Sequence, residues 1–165
     1  MTDVVDKETR SRMMSGIRGK DTKPELMIRR ALHSKGFRYL LHSSNLPGKP
    51  DMVFPKYRAV IFVHGCFWHV HGCKYFKLPA SRTEFWREKL LKNRRRDELA
   101  LETIQALGWR VLVVWECSTR GGRTVDAGNA LAETVAHWIT GEAPSAEIGM
   151  DGQLCMLAPR ACAPV

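Results

Sequence analysis

The sequence predicts an α/β fold, a mixed β-sheet flanked by helices, on three observations. Residues 58–63 and 110–115 are short runs rich in β-branched and aromatic residues, the composition of buried central strands. Longer segments around them carry helix start and stop signals. The elements follow the order helix, three strands, helix, strand, helix, which a single sheet with helices packed on it accommodates. A chain of 165 residues fits one domain of ordinary size.

Each element has its own warrant. Residues 7–18 place Met13, Met14 and Ile17 at near-helical spacing, predicting a short helix with little core beneath it. Thr22 can cap the next helix, Pro24 suits its first turn and Gly36 stops it. Glu25 falls in that first turn, where a carboxylate gains from the helix dipole. Phe37 to Leu41, Asp51 to Phe54 and Arg58 to Val63 read as strands, separated by Pro47-Gly48-Lys49-Pro50 and by a turn near Pro55-Lys56. Ser81-Arg82-Thr83-Glu84 matches a capping box opening a long basic amphipathic helix, which Gly108 ends after Ala106-Leu107. Arg110 to Trp115 is a second buried strand, and Thr124 to Ile139 a last helix. The expected organisation is an N-terminal arm over residues 1–20, a core over 21–141 and an irregular tail over 142–165.

Composition narrows the function classes. A hydrophobic fraction of 44% suits a globular protein, and no apolar run approaches membrane-spanning length. The segment Met1 to Lys7 is too polar for a signal peptide, so the expectation is a soluble cytoplasmic protein with no membrane partner. The net charge of +9 is unevenly spread: residues 1–40 hold ten Lys and Arg and residues 74–96 hold nine. Beyond Arg123 only Arg160 is basic, against Asp126, Glu133, Glu142, Glu147 and Asp151. Segregated basic segments without a lipid-inserting apolar face point to nucleic acid, the alternative being ordinary solvated helix faces. Five cysteines, an odd number, without an export signal argue for free thiols or metal ligands. Cys66, Cys73 and Cys117 lie among other polar candidates, whereas Cys155 and Cys162 do not.

The chemistry-bearing residues concentrate between Asp51 and Cys117. A hairpin can bring Asp51 beside Phe62-Val63-His64, where an aspartate and a backbone carbonyl of the adjacent strand can bind Mg²⁺. Cys66, His71, Cys73 and Cys117 have the count and ligand types of a closed zinc site, stapling the loop after one strand to the end of another. By spacing alone His69 can replace His71 in it, and a set of buried thiols in a polar loop is the alternative to a metal. The imidazoles left over near Asp51, His64 and His69, suit proton abstraction from water, and phosphodiester hydrolysis is the matching reaction class. Phe67, Trp68 and Trp86 are aromatic side chains amid cationic residues, suited to wedging into DNA or stacking on an unstacked base, unless they are simply core. Met13 and Met14 offer a similar wedge or a packing role.

The motifs Asp6-Lys7, Thr9-Arg10-Ser11, Met14, Ile17, Asp21-Thr22, Glu25, Leu46-Pro47-Gly48, Pro50-Asp51, Val60-Ile61-Phe62 and His64-Gly65-Cys66-Phe67-Trp68-His69 carry a resemblance. With Cys73, Pro79-Ala80, Arg82-Thr83-Glu84-Phe85-Trp86 and Leu107 to Cys117, the chain resembles the very short patch repair endonucleases from Asp3 to Gly141. The resemblance implies a restriction-endonuclease-like core of the PD-(D/E)XK type. It also implies a structural zinc and Mg²⁺-dependent nicking 5′ of the thymine in T:G mismatches left by 5-methylcytosine deamination. Asp51 becomes the central metal-binding carboxylate, with the Val63 carbonyl beside it, and His69 the general base. Glu25 and the pair His64 and Asp97 become supporting members. Cys66, His71, Cys73 and Cys117 become the zinc ligands, Phe67, Trp68 and Trp86 the wedge, and Met14 its counterpart from the other groove. The residues of the arm, the first twenty, then contact DNA. A bacterial, nucleoid-associated monomer with a MutL-type mismatch-repair protein as partner completes the picture. Two departures stand out: Val63 occupies a position where the family commonly has threonine, and Val70 interrupts a run that is often all histidine.

Two other functions compete. A restriction-type or mobile-element nuclease of the same fold would cut both strands of unmodified duplex. A zinc-stapled DNA-binding module would not cut at all.

Overall fold

The computed structural model describes residues 6–120 and 125–157. The predicted helix start at Thr124, the charges of Arg123 and Arg160, and Cys162 lie outside them.

Helix α1 (Lys7–Ser15) is capped by Asp6, which accepts from the Thr9 amide at 2.7 Å, and buries none of its residues. Helix α2 (Lys23–Ser34) begins as its sequence dictates: Thr22 accepts from the Glu25 amide and Pro24 sits in the first turn. The chain leaves it through Gly36 at φ 90°.

Strands β1 (Leu40–Leu41), β2 (Met52–Phe54) and β3 (Ala59–His64) pair antiparallel in sequence. Helix α3 (Thr83–Ala106) then crosses to β4 (Arg110–Trp115), which lies parallel to β3. A short α4 (Glu116–Arg120) follows at once, and α5 (Val125–Thr140) leads to β5 (Ala146–Ile148), parallel to β4. Strand β6 (Leu154–Met156) pairs antiparallel with β5, completing a mixed sheet of six strands in order β1 to β6.

Strand alternation sorts the core onto two faces. Met52, Phe54, Ala59, Ile61, Leu112 and Val114 face Ile28 and Leu32 of α2 and Leu131, Val135, Trp138 and Ile139 of α5. Val53, Val60, Phe62, Val111, Val113 and Trp115 face Leu101 and Ile104 of α3. Among the described residues no helix is long and apolar enough to cross a membrane.

Three local expectations are corrected. The stretch after Gly141 is not irregular throughout, because Ala146 and Ile148 are buried against β4. Its approach is tied by hydrogen bonds from Arg110 Nη1 to the Ala143 carbonyl and from the Val111 amide to Ser145 Oγ. The capping box does not form: Arg82 occupies the cap at φ 52° with no side-chain cap bond, and the Thr83 hydroxyl donates back to the carbonyls of Pro79 and Ala80. The strand expected over residues 37–41 shrinks to two residues, because Phe37 and Tyr39 turn into the core with Phe54 instead of continuing the ladder.

Candidate active site

The sheet topology brings the predicted residues to one end of the strands. The β2–β3 hairpin sets Asp51, just before β2, against Val63 near the end of β3, and the Val63 amide donates to Asp51 Oδ2 at 2.7 Å. Both residues line an open cleft of about 960 Å³. His64, His69 and Asp97 line it too, with Lys20, Lys49 and Arg96 as its cationic members. Gly48 lets the chain pass close to α3: at φ 71° a Cβ there would stand 2.9 Å from the Ala100 side chain.

Burial is the main reason the Asp51 carboxyl is raised from the usual 3.8 to about 6. The negative charge of Glu25 pushes the same way, against the Val63 amide and the nearby His42 and His69. The carboxylate oxygens of Asp51 are the hard ligands that a divalent cation such as Mg²⁺ takes.

Glu25 is itself only 2% exposed, anchored by Arg29 Nη1 at 3.2 Å. Arg29 also pairs with Asp21 at 2.6 Å.

His69 hydrogen-bonds through Nδ1 to Asp97 Oδ2 at 2.5 Å, and its ring stacks on His64 at 3.8 Å with a 3° interplanar angle. The sequence placed Asp97 with His64; in the structure its carboxylate joins His69 directly and reaches His64 across the stack. A carboxylate on Nδ1 fixes the tautomer whose Nε2 is the basic nitrogen.

The thiol cluster lies behind this pair. The offset of 51 residues that registers Ala59 with Arg110 and His64 with Trp115 continues onto Cys66 and Cys117, so both leave the sheet together. His71 Nδ1 stands 3.6 Å from Cys66 Sγ and 3.4 Å from Cys117 Sγ. The ligand atoms of Cys66, His71, Cys73 and Cys117 all lie within 4.8 Å of one another. Zn–S bonds of about 2.3 Å and Zn–N bonds of about 2.0–2.1 Å make tetrahedral S···N edges of about 3.5 Å, so the four residues fit zinc. Burial pushes the Cys66 thiol up to about 11, and burial with the charges of Cys66 and Cys73 pushes Cys117 higher still. Burial also acts to raise Cys73, but hydrogen bonds from the Tyr75 amide and the two neighbouring thiols leave it net lowered. A bound cation would favour thiolate at all three.

Val70 explains how one loop serves both clusters. Its φ of 56° is left-handed, a conformation costing a β-branched residue on the order of 1–2 kcal/mol. The twist sends His69 toward Asp97 and His71 toward the thiols, where the His71 ring stacks on Trp115 at 4.2 Å.

Phe67, Trp68 and Trp86 form a three-way edge-to-face cluster with centroids 5.1–6.0 Å apart, all half-buried. Lys89 Nζ sits 5.4 Å from the Trp86 centroid and 5.7 Å from that of Trp68. Met14 stands exposed on α1, which Arg10 links to Ser81 just before α3 and this cluster.

His42 escaped the sequence reading. It follows β1, its amide donates to the Asp51 carbonyl at 3.3 Å, and its ring lies among Asp21, Glu25 and Asp51. The only signal was hairpin register, which places the residue after Leu41 opposite Asp51.

Comparison with known proteins matches this sequence to a family. The family model described as DNA mismatch endonuclease Vsr matches residues 2–75. The chain is 48% identical over 152 residues to the DNA mismatch endonuclease Vsr of Escherichia coli strain K12, covering 92% of this chain and 97% of that protein. The type II nicking enzyme V.XorIIP of Xanthomonas oryzae pv. oryzae is 50% identical, over 71% of this chain and 86% of its own. V.NmeAIP of Neisseria meningitidis, also a type II nicking enzyme, is 43% identical over 73% of this chain and 86% of its own. With similarity running through cleft, thiol cluster and sheet alike, the chain belongs to the DNA mismatch endonuclease Vsr family.

Proposed function

We propose that this protein is a Mg²⁺-dependent, strand-specific DNA endonuclease that nicks 5′ of the thymine in T:G mismatches, opening very short patch repair. That it is a DNA endonuclease follows from its family. The observation that carries the finer reading is the division of one loop: His69 enters the cleft beside Asp51, His71 enters the thiol cluster, and Phe67 and Trp68, just before His69, pack half-buried against Trp86.

Asp51, with the Val63 carbonyl, would hold Mg²⁺, which supplies charge neutralisation for the phosphoryl group. His69, oriented by Asp97, takes the proton from the attacking water at Nε2, and the stacked His64 limits rotation of that ring. Lys20, Lys49 and Arg96 draw the phosphate backbone into the cleft. Glu25 supports Asp51 from the α2 side. The zinc at Cys66, His71, Cys73 and Cys117 is structural, and the core is of the restriction-endonuclease-like type. The first twenty residues contact DNA, with Met14 wedging from the groove opposite Phe67, Trp68 and Trp86. A chain whose cleft pairs Asp51 with His69 suits a monomer that cuts one strand, working in the bacterial cytoplasm at the nucleoid with a MutL-type partner.

Incubation with Mg²⁺ and end-labelled duplexes, matched or carrying one T:G pair, tests the function. One-strand nicking confined to the T:G duplex is expected. Equal cutting of both duplexes supports a restriction-type enzyme, and binding without cutting supports a DNA-binding module. Stacking on aromatic rings contributes ~1–3 kcal/mol per base, so Trp68→Ala is expected to lower the T:G preference about tenfold or more. Competition between the two duplexes measures that ratio.

A further inference from the structure

His42 stands between Asp51, in the cleft, and Glu25 of α2, in a way the proposed chemistry does not yet use. Its Nδ1 lies 3.8 Å from Asp51 Oδ1, and its Nε2 lies 3.2 Å from Glu25 Oε1 and 3.7 Å from Asp21 Oδ1. Nε2 is fully buried and out of line for a hydrogen bond to the carboxylates it approaches. The residue is held there by its backbone: at φ 45° it turns out of β1, and its amide donates to the carbonyl of Asp51 itself.

The consequence falls on the Asp51 carboxylate. One oxygen, Oδ2, is fixed by the Val63 amide at 2.7 Å, and the other, Oδ1, faces the His42 ring. Each carboxylate oxygen therefore has its own neighbour. Glu25 is screened by Arg29 at one oxygen and approached by His42 at the same atom, so the ring is also the partition between Glu25 and Asp51. Arg29 already pairs with Asp21 and Glu25, which makes this acidic group a poor second cation site and leaves orientation as the role that fits.

We infer that His42 is a positioning residue: its ring holds the Asp51 carboxylate in the orientation that accepts a divalent cation and keeps Glu25 apart from it. This rests on the Mg²⁺-dependent reading of the cleft. Wild-type protein, His42→Ala, His42→Leu and His42→Gln are compared in two measurements. The first is the Mg²⁺ dependence of single-turnover nicking on a T:G duplex. The second is Mn²⁺ binding, followed by electron paramagnetic resonance, to the complex with a duplex made uncleavable at the scissile linkage. Alanine and leucine are expected to raise both the half-saturating Mg²⁺ and the Mn²⁺ dissociation constant about fivefold or more, with the rate at saturating Mg²⁺ within about twofold. Glutamine, which keeps polar atoms at similar reach, is expected to restore both to within about twofold. Leucine fills the ring's volume and serves where alanine loses the fold. Unchanged cation dependence in the alanine and leucine variants, a loss confined to the saturating rate, or glutamine as impaired as leucine each overturns the inference. A wild-type protein that never nicks counts against the nickase reading, while the Mn²⁺ titration still decides the role of His42.

Discussion

Asp51→Asn is expected to lower the nicking rate at least about 10³-fold, the loss expected when a metal-dependent phosphodiesterase can no longer place its cation. Duplex affinity should stay within a few fold, because Lys20, Lys49, Arg96 and the basic helices remain. The same substitution is expected to stabilise the metal-free protein at neutral pH. Burial and Glu25 raise the Asp51 carboxyl from 3.8 to about 6. A group whose native value is raised contributes stability below the unfolded value and loses it as pH rises through the native one. For Asp51 the loss runs from about pH 4 to just above pH 6. Above that window the native state carries an ionised, desolvated carboxylate worth on the order of 2–3 kcal/mol of destabilisation. Thermal unfolding in a chelator selective for Mg²⁺ and Ca²⁺ should place Asp51→Asn several degrees above wild type at pH 7.5, with the gap closing near pH 4. A variant less stable than wild type at both pH values would show that the hydrogen bond to Val63 outweighs desolvation.

The second large effect is expected at the thiol cluster. Cys66 leaves β3 and Cys117 opens α4, and both are buried in the core on the α3 face of the sheet. Zinc bound by such a set contributes on the order of 10 kcal/mol in small domains, comparable with the whole net stability of a typical fold. Cys117→Ser, or exhaustive chelation, is expected to leave little folded protein at 37 °C and to make Cys66 and Cys73 react with a thiol reagent. Elemental analysis should return one zinc per wild-type chain. A metal-free protein that melts at the wild-type temperature, with Cys66 and Cys117 still protected, would identify the cluster as packed thiols instead.

Much of this was legible because the signals were local. Thr22, Pro24, Gly36 and Gly108 bound helices through backbone chemistry written at single positions. Residues 59–64 and 110–115 are strands whose apolar content leaves little alternative. Cys66, His71, Cys73 and Cys117 could be grouped by ligand type, though spacing did not divide His69 from His71; the left-handed turn at Val70 does that in the structure. What escaped depends on pairing across distance. Ala146–Ile148 becomes a strand because β4 offers it an edge, and its flanking Pro144, Gly149 and Gly152 read as loop. Ser81 looks like a cap by spelling alone, yet the turn at Arg82 removes it from that position. His42 carries no motif and acquires its neighbours only through the register of a two-residue strand.

Helix α3 has a further consequence through its length. Trp86 of the aromatic cluster and Asp97 of the His69 pair lie eleven residues apart on one unbroken helix, a span of about 16 Å. On the proposed function, this helix sets the separation between a ring that would meet a base and the carboxylate that orients His69. Its setting is quantised. One residue added between Trp86 and Asp97 would lengthen the helix by only about 1.5 Å but swing Asp97 about 100° around the axis, so no small adjustment of reach is available. On the proposed function, respacing Trp86 and Asp97 without turning either out of place takes an insertion close to a whole helical turn.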